Sequence, residues 1–136
     1  MIRFIYFKSV DPDDPDHVWL LYQLLRQRTR EQSISHKTMP TLIEHQQFID
    51  SDPYEVWYLI KEGVRCLGSV YYTRRGEIGL FLFPEHRGKG YGSVAVSKLR
   101  DLCPGPMYAN VAPTNERAQK FWLKLGFKPL QITYEL

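Results

Sequence analysis

The segment Phe83-Pro-Glu-His-Arg-Gly-Lys-Gly-Tyr-Gly-Ser93 concentrates the residue types that can bind an anion. Glycines at 88, 90 and 92 let the backbone come close to a ligand and tolerate positive φ. Arg87 and Lys89 add positive charge between them. Between a strand and a helix, such a turn offers backbone N–H groups and a helix N-terminus, which together hold a phosphate. Two familiar phosphate motifs fail here. The P-loop needs four residues between its first glycine and Gly-Lys-Ser/Thr, a spacing this chain lacks. The dinucleotide fingerprint needs a third glycine at position 93, which is serine, and a preceding parallel strand. The pattern that fits is Arg-x-x-Gly-x-Gly, from Arg87 to Gly92.

The elements that must hold this turn can be read from periodicity and breakers. Residues 2–8 form a first expected strand, rich in Ile, Phe and Tyr. Asp14 then caps a helix with Pro15 at its first position and Asp16 at its positive end. Val18, Leu21, Tyr22 and Leu25 share one face of that helix. Thr41-Leu-Ile-Glu44 has capping-box spacing and starts a second helix, closed by Asp52-Pro53. From Tyr54 the period becomes alternating. Tyr54–Lys61, Arg65–Thr73 and Glu77–Phe83 are three antiparallel strand candidates, separated by Glu62-Gly63 and Arg75-Gly76. A helix is expected over about 93–103, stopped by Pro104-Gly-Pro106, then a fifth strand over Met107–Val111. Ala118, Phe121, Trp122 and Leu125 define a last helical face, with Gly126 placed as its cap. Leu130 to Leu136 alternates strictly and predicts a sixth strand. The predicted class is α/β (α+β): a mostly antiparallel central sheet with about four helices, in the order β-α-α-β-β-β-α-β-α-β.

Two motifs together with this order carry a resemblance. The Arg87–Gly92 turn resembles the pyrophosphate loop of the GNAT superfamily, the acyl-CoA-dependent N-acetyltransferases. Asn115-x-x-Ala118-x-x-Phe121-Trp122-x-x-x-Gly126-Phe127 is similar to that superfamily's second motif, and the likeness covers nearly the whole chain. The resemblance implies acetyl-CoA as acyl donor, lying in a splay between the strands 77–83 and 107–111. It implies that the backbone near Leu82 bonds the pantetheine and polarises the acyl carbonyl. The amides of Arg87, Gly88, Lys89, Gly90, Tyr91, Gly92 and Ser93 would hold the pyrophosphate. Asn115 would cap the last helix, touch the pantetheine arm, or do both.

Direct acyl transfer to an amine needs a base for the amine, a stabilised oxyanion and a proton for the departing thiolate. Glu77 starts its strand on the face opposite Ile78, Leu80 and Leu82, and is either the general base or an exposed turn residue. The family's usual acid, a tyrosine, corresponds by spacing to Trp122, whose indole N–H cannot serve; packing is its expected role. Tyr108 and Tyr134, in the last two expected strands, are the candidate substitutes, with solvent as a third source of the proton. The acceptor wall would be Arg28 to Ile49. Its Ser33, Glu44-His45 and Phe48 are loosely similar to members that acetylate nucleotide-linked amino sugars, and also to any capped helix. Arg26, Arg28 and Arg30 read first as a solvated helix end, and, if the helix frays, as contacts to an anionic substrate. Three readings stay open: a small-molecule amine N-acetyltransferase, a protein N-terminal or lysine acetyltransferase, and a silent acyl-CoA-binding module.

Composition sets the outer bounds. The 136 residues are 43% hydrophobic and 24% charged, with nine Gly and nine Pro, which fits one globular domain over 1–136 and excludes a coiled coil or collagen-like repeat. A net charge of +3 is too mild to argue for nucleic acid but suits a phosphorylated ligand. Cys66 and Cys103 make neither a disulfide framework nor a metal cluster, and His36 and His45 have no second ligand at helical spacing. No metal is therefore expected, and a reducing setting is. The apolar start, Met1 to Lys8, is too short for a signal peptide, and no segment approaches a membrane span. A cytoplasmic protein with no membrane partner is the expectation.

Overall fold

The structure is a computed structural model that describes residues 4–28 and 38–136. Strand β1 is Tyr6–Ser9, and α1 is Pro15–Arg26. The Asp14 carboxylate accepts the Asp16 amide at 2.9 Å, with Pro15 in the first turn, as the sequence predicts. Helix α2, Leu42–Asp50, opens on a full capping box: the Thr41 hydroxyl accepts the Glu44 amide at 3.1 Å, and the Glu44 carboxylate accepts the Thr41 amide at 2.9 Å. Strands β2 (Val56–Glu62), β3 (Arg65–Tyr72) and β4 (Glu77–Leu82) follow. Helix α3 is Tyr91–Leu102, β5 is Tyr108–Ala109, and α4 is Glu116–Lys124. The sheet runs β1-β2-β3-β4-β5, antiparallel except for the parallel β4–β5 pair.

Each face of the sheet is covered by its own helices, because the strands alternate apolar side chains to both sides. On one face Ile60, Leu67, Val70 and Ile78 pack with Ala95, Val96 and Leu99 of α3, and Phe121 and Trp122 of α4 lean against that cluster. On the other, Leu59 and Phe83 pack with Val18, Leu21 and Leu24 of α1 and Ile49 of α2. Burying each such aliphatic side chain stabilises the fold by about 1.5–3 kcal/mol.

The expected sixth strand does not form. Residues 127–136 have no regular structure, and Leu130, Ile132 and Tyr134 are 73%, 73% and 88% exposed. A strand exists through its ladder partner, and the last strand of this sheet, β5, is only two residues long. Among the described residues, the alternation at 130–136 joins no strand ladder. The fifth strand is shorter than its expected span for a related reason: β5 separates from β4 after Ala109.

Candidate active site

Strands β4 and β5 pair only at Glu77 with Tyr108 and Ile78 with Ala109, and beyond these residues they diverge. The Glu77 carbonyl accepts the Thr73 amide at 2.8 Å and the Phe83 amide donates to the Leu67 carbonyl at 2.9 Å, so odd-numbered residues of this stretch turn their backbone groups toward β3. With the strand's period of two, Leu80 and Leu82 turn theirs toward the opened edge. The Leu82 carbonyl accepts a bond from Arg87 Nε at 3.1 Å, which ties the edge to the glycine turn.

The turn is built to present amides. Gly88 and Gly90 have φ of 71° and 88°, and Gly90 is the residue before α3. The first α3 bond runs from the Val94 amide to the Gly90 carbonyl at 3.4 Å; among the described residues no backbone carbonyl accepts the amides of 88–93. A Cβ at Gly92 would stand 3.1 Å from the Phe121 ring, so glycine lets α3 begin close against α4. The Tyr91 hydroxyl donates to the buried Glu62 carboxylate at 3.2 Å, so this side chain anchors the helix while its amide stays at the turn. Lys89 and Ser93 are exposed beside it.

Arg117, in the first turn of α4, joins this site unforeseen by sequence reasoning. Its Nη2 lies 3.7 Å from where a Gly88 Cβ would stand. Burial and then the positive charge of Arg117 push the Arg87 pKa down, with Glu85 opposing. Two guanidiniums held together above unbonded amides form a place for an anion, and the residues fit a pyrophosphate. The only hint in the sequence was position: Arg117 follows the cap residue Asn115 by two. The Asn115 side-chain oxygen accepts the Ala118 amide at 3.2 Å, so the cap is real and its side-chain NH2 is left for a ligand.

On the opposite face of β4 stand Glu77, Gly79 and Phe81. Glu77 accepts a bond from Asn110 Nδ2 at 2.6 Å, and its parallel partner Tyr108 lies beside it. The structure thus brings Glu77 and Tyr108 together where the splay begins. It leaves Tyr134 out, in the exposed segment after α4. A Cβ at Gly79 would run into the Tyr71 ring, so Tyr71 lies across β4 in space that only glycine leaves free. Tyr71 stacks on Tyr54 at 3.8 Å, Tyr54 meets Trp57 edge-on at 4.8 Å, and Phe48 meets both Tyr54 and Trp57. The Arg28 guanidinium sits 3.5 Å above the Phe81 ring. This corrects the expectation of a solvated helix end at Arg28: burial lowers its pKa, partly offset by Tyr71 and Tyr54. Arg30, Ser33 and His36 lie outside the described residues.

Other candidates settle into structural roles. Glu44 completes the capping box, and His45 Nε2 donates to the Val18 carbonyl at 3.2 Å. Trp122 packs edge-on against Phe121 and Phe127, each at 4.9 Å, as its helical position predicts. Burial raises the thiol pKa of Cys66 and of Cys103, which disfavours nucleophilic chemistry at either. Among the described residues no group of three or more His, Cys, Asp or Glu could hold a metal ion, and no helix is long and apolar enough to cross a membrane.

Comparison with known proteins gives concordant results. A sequence model of the acetyltransferase (GNAT) family matches residues 18–127. A peptidyl-lysine N-acetyltransferase of Salmonella typhimurium is 32% identical over 73 residues, 54% of this chain; the matched part spans half the length of that curated relative. Among solved structures, an acetyltransferase from Thermus thermophilus is similar with a TM-score of 0.70 at 21% identity, covering 91% of this chain and 86% of that one. A predicted acetyltransferase with acetyl-CoA from Clostridium acetobutylicum has a TM-score of 0.69 at 13% identity, covering 98% and 96%.

Proposed function

The chain belongs to the acetyltransferase (GNAT) family, and from that premise we propose that it moves an acetyl group from acetyl-CoA directly to the primary amine of a small molecule. The observation that carries the reading is the splay at β4. One strand presents Leu80 and Leu82 backbone groups along its open edge, the anion-binding turn at its end, and Glu77 on the face away from α3. Acetyl-CoA, when bound, supplies the activated thioester. The amides of 88–93 with Arg87 and Arg117 would hold its pyrophosphate, and the Asn115 NH2 with the Leu80 and Leu82 backbone would hold the pantetheine. Glu77 would take a proton from the ammonium, directly or through water, and Tyr108 would return one to the thiolate.

The small-molecule acceptor is supported by what lines the second face. Tyr54, Trp57, Tyr71, Phe81 and Arg28 crowd it with side chains, where an extended peptide would need an open groove. Glu44 and His45 are occupied in holding α2, so the amino-sugar-nucleotide reading loses two of its residues. A second reading, transfer to a peptidyl lysine, is favoured by the Salmonella relative. The free cysteines suit a reducing compartment, and the cytoplasm is the proposed setting.

Thiol release from acetyl-CoA against a panel of small amines and lysine peptides tests the proposal. Glu77→Gln is expected to lower turnover by about 10²-fold while acetyl-CoA affinity stays within about a factor of two. Acetyl-CoA binding without thiol release on any amine would replace this reading with a silent acyl-CoA-binding module.

A further inference from the structure

Three buried donors on the α1 side of the sheet find no hydrogen-bond acceptor: Gln23 Nε2, Arg28 Nε and Trp57 Nε1. Two of them belong to the aromatic cluster over β4. The Arg28 guanidinium sits over the Phe81 ring, and Trp57 touches Tyr54, which stacks on Tyr71. The sheet register explains how these residues meet. Trp57 pairs with Tyr71 and Tyr71 with Gly79 in one cross-strand row; Leu59, Ser69 and Phe81 form the next. A buried N–H without an acceptor costs free energy comparable to a lost hydrogen bond, and a buried guanidinium without a counter-charge costs more. No carboxylate among the described residues forms an ion pair with Arg28, whose electrostatic neighbours are the hydroxyls of Tyr71 and Tyr54. Among the described residues, then, the site holds donors and a positive charge but lacks an acceptor of opposite charge.

Resting on the transferase reading above, we propose that this cluster is the acceptor subsite and that the acceptor amine carries a carboxylate, which Arg28 receives. The Phe81 ring holds the guanidinium from one side, and its fork of N–H donors suits a planar carboxylate. One cation matches one negative charge, whereas a phosphomonoester dianion would be left half compensated. Phe81 lies between Leu80 and Leu82, whose backbone lines the splay. The seat of the carboxylate therefore stands over the residue that lies between these two along β4, on the face to which Glu77 also projects. The aromatic walls of Tyr54, Trp57 and Tyr71 suit an apolar or aromatic side chain on an amino-acid acceptor.

The test uses the full chain, acetyl-CoA and three amines: phenylalanine, its decarboxylated counterpart phenethylamine, and phosphoethanolamine. The wild type should favour phenylalanine over phenethylamine by at least about 100-fold in kcat/KM, the size expected when a site built for a charged partner is left without it. Arg28→Gln should reduce that ratio at least about thirtyfold, and Arg28→Lys should recover little of it because an ammonium offers neither fork nor stack. Arg28→Met should melt no lower than the wild type, since it removes a buried charge that no carboxylate among the described residues pairs with; a merely structural arginine would give a lower Tm. A preference for phenethylamine, an unchanged ratio in Arg28→Gln, or a preference for phosphoethanolamine would each overturn the carboxylate proposal. Absence of turnover on any amine would instead count against the transferase reading. In that case calorimetry with N-acetylphenylalanine and CoA decides the subsite: saturable binding lost in Arg28→Gln supports it, and no binding to the wild type overturns it.

Discussion

On the proposed reading, the two sides of β4 bind by different means. On the α3 side, the turn from Arg87 to Ser93 would work through main-chain amides, two positive-φ glycines and the Arg87–Arg117 pair, with the buried Tyr91 side chain serving only to anchor it. On the α1 side, the cluster of Arg28, Tyr54, Trp57, Tyr71 and Phe81 works through side chains that separate parts of the chain bring together. Backbone recognition suits a ligand part that does not vary, such as a pyrophosphate, because amides and helix ends bind any phosphate alike. Side-chain recognition suits a part that differs between enzymes, since exchanging one ring or one charge changes the ligand without moving the sheet.

If the two sides are separable, each can be broken alone. The largest effect is expected for Gly90→Asp, which places a side chain at φ 88° and a negative charge beside the amides. Its acetyl-CoA Kd should rise about 100-fold by calorimetry, equivalent to about 2.8 kcal/mol. An unchanged Kd would remove the turn from the cofactor site. Gly79→Val should do the converse. Its side chain needs the space of the Tyr71 ring, so the aromatic cluster must shift, lowering stability by about 1–3 kcal/mol in urea unfolding. Its kcat/KM for the amine should fall well beyond any change in acetyl-CoA Kd; equal losses on both would show that the sides are coupled.

The smallest effect sharpens the comparison by touching neither side directly. Thr41→Ala removes the cap of α2 and should cost about 1 kcal/mol, with both ligands bound as before. The capping box also has a pH signature. Hydrogen bonds to the Thr41 amide, and then to its hydroxyl, hold the Glu44 carboxyl below its ordinary value. A depressed carboxyl stabilises the fold above its unfolded pKa and ceases to as pH falls through the folded value. Stability should therefore drop on the acid side of the usual glutamate range, and Glu44→Gln should flatten that drop in Tm measured against pH.

How much of this was readable in advance differs along the same line. The turn was legible because its conformation is set by neighbours in sequence: Arg87, three alternating glycines and a helix start cannot be dispersed. The caps at Asp14, Thr41 and Asn115 were legible for the same reason, each bonding an amide two or three residues away. Arg28 was misread because its environment comes from Phe81, on a strand far along the chain, and local spacing showed only a basic helix end. Gly79 drew no notice as a site residue, since its need for glycine comes from Tyr71 on the next strand.

The C-terminal alternation marks the same boundary from the other direction. Leu130 to Leu136 satisfies the strand period, yet the strand is absent because a ladder requires a second strand at hydrogen-bonding distance. By itself the sequence determined whatever depends on residues a few positions apart: helix starts, the glycine turn before α3, and the alternation of β2 to β4. Tertiary structure alone decided which strands found partners, where β4 and β5 part, and which distant side chains meet over Gly79 and Phe81. Those outcomes depend on register and on the space left between packed elements, and neither is a property of any one stretch of chain.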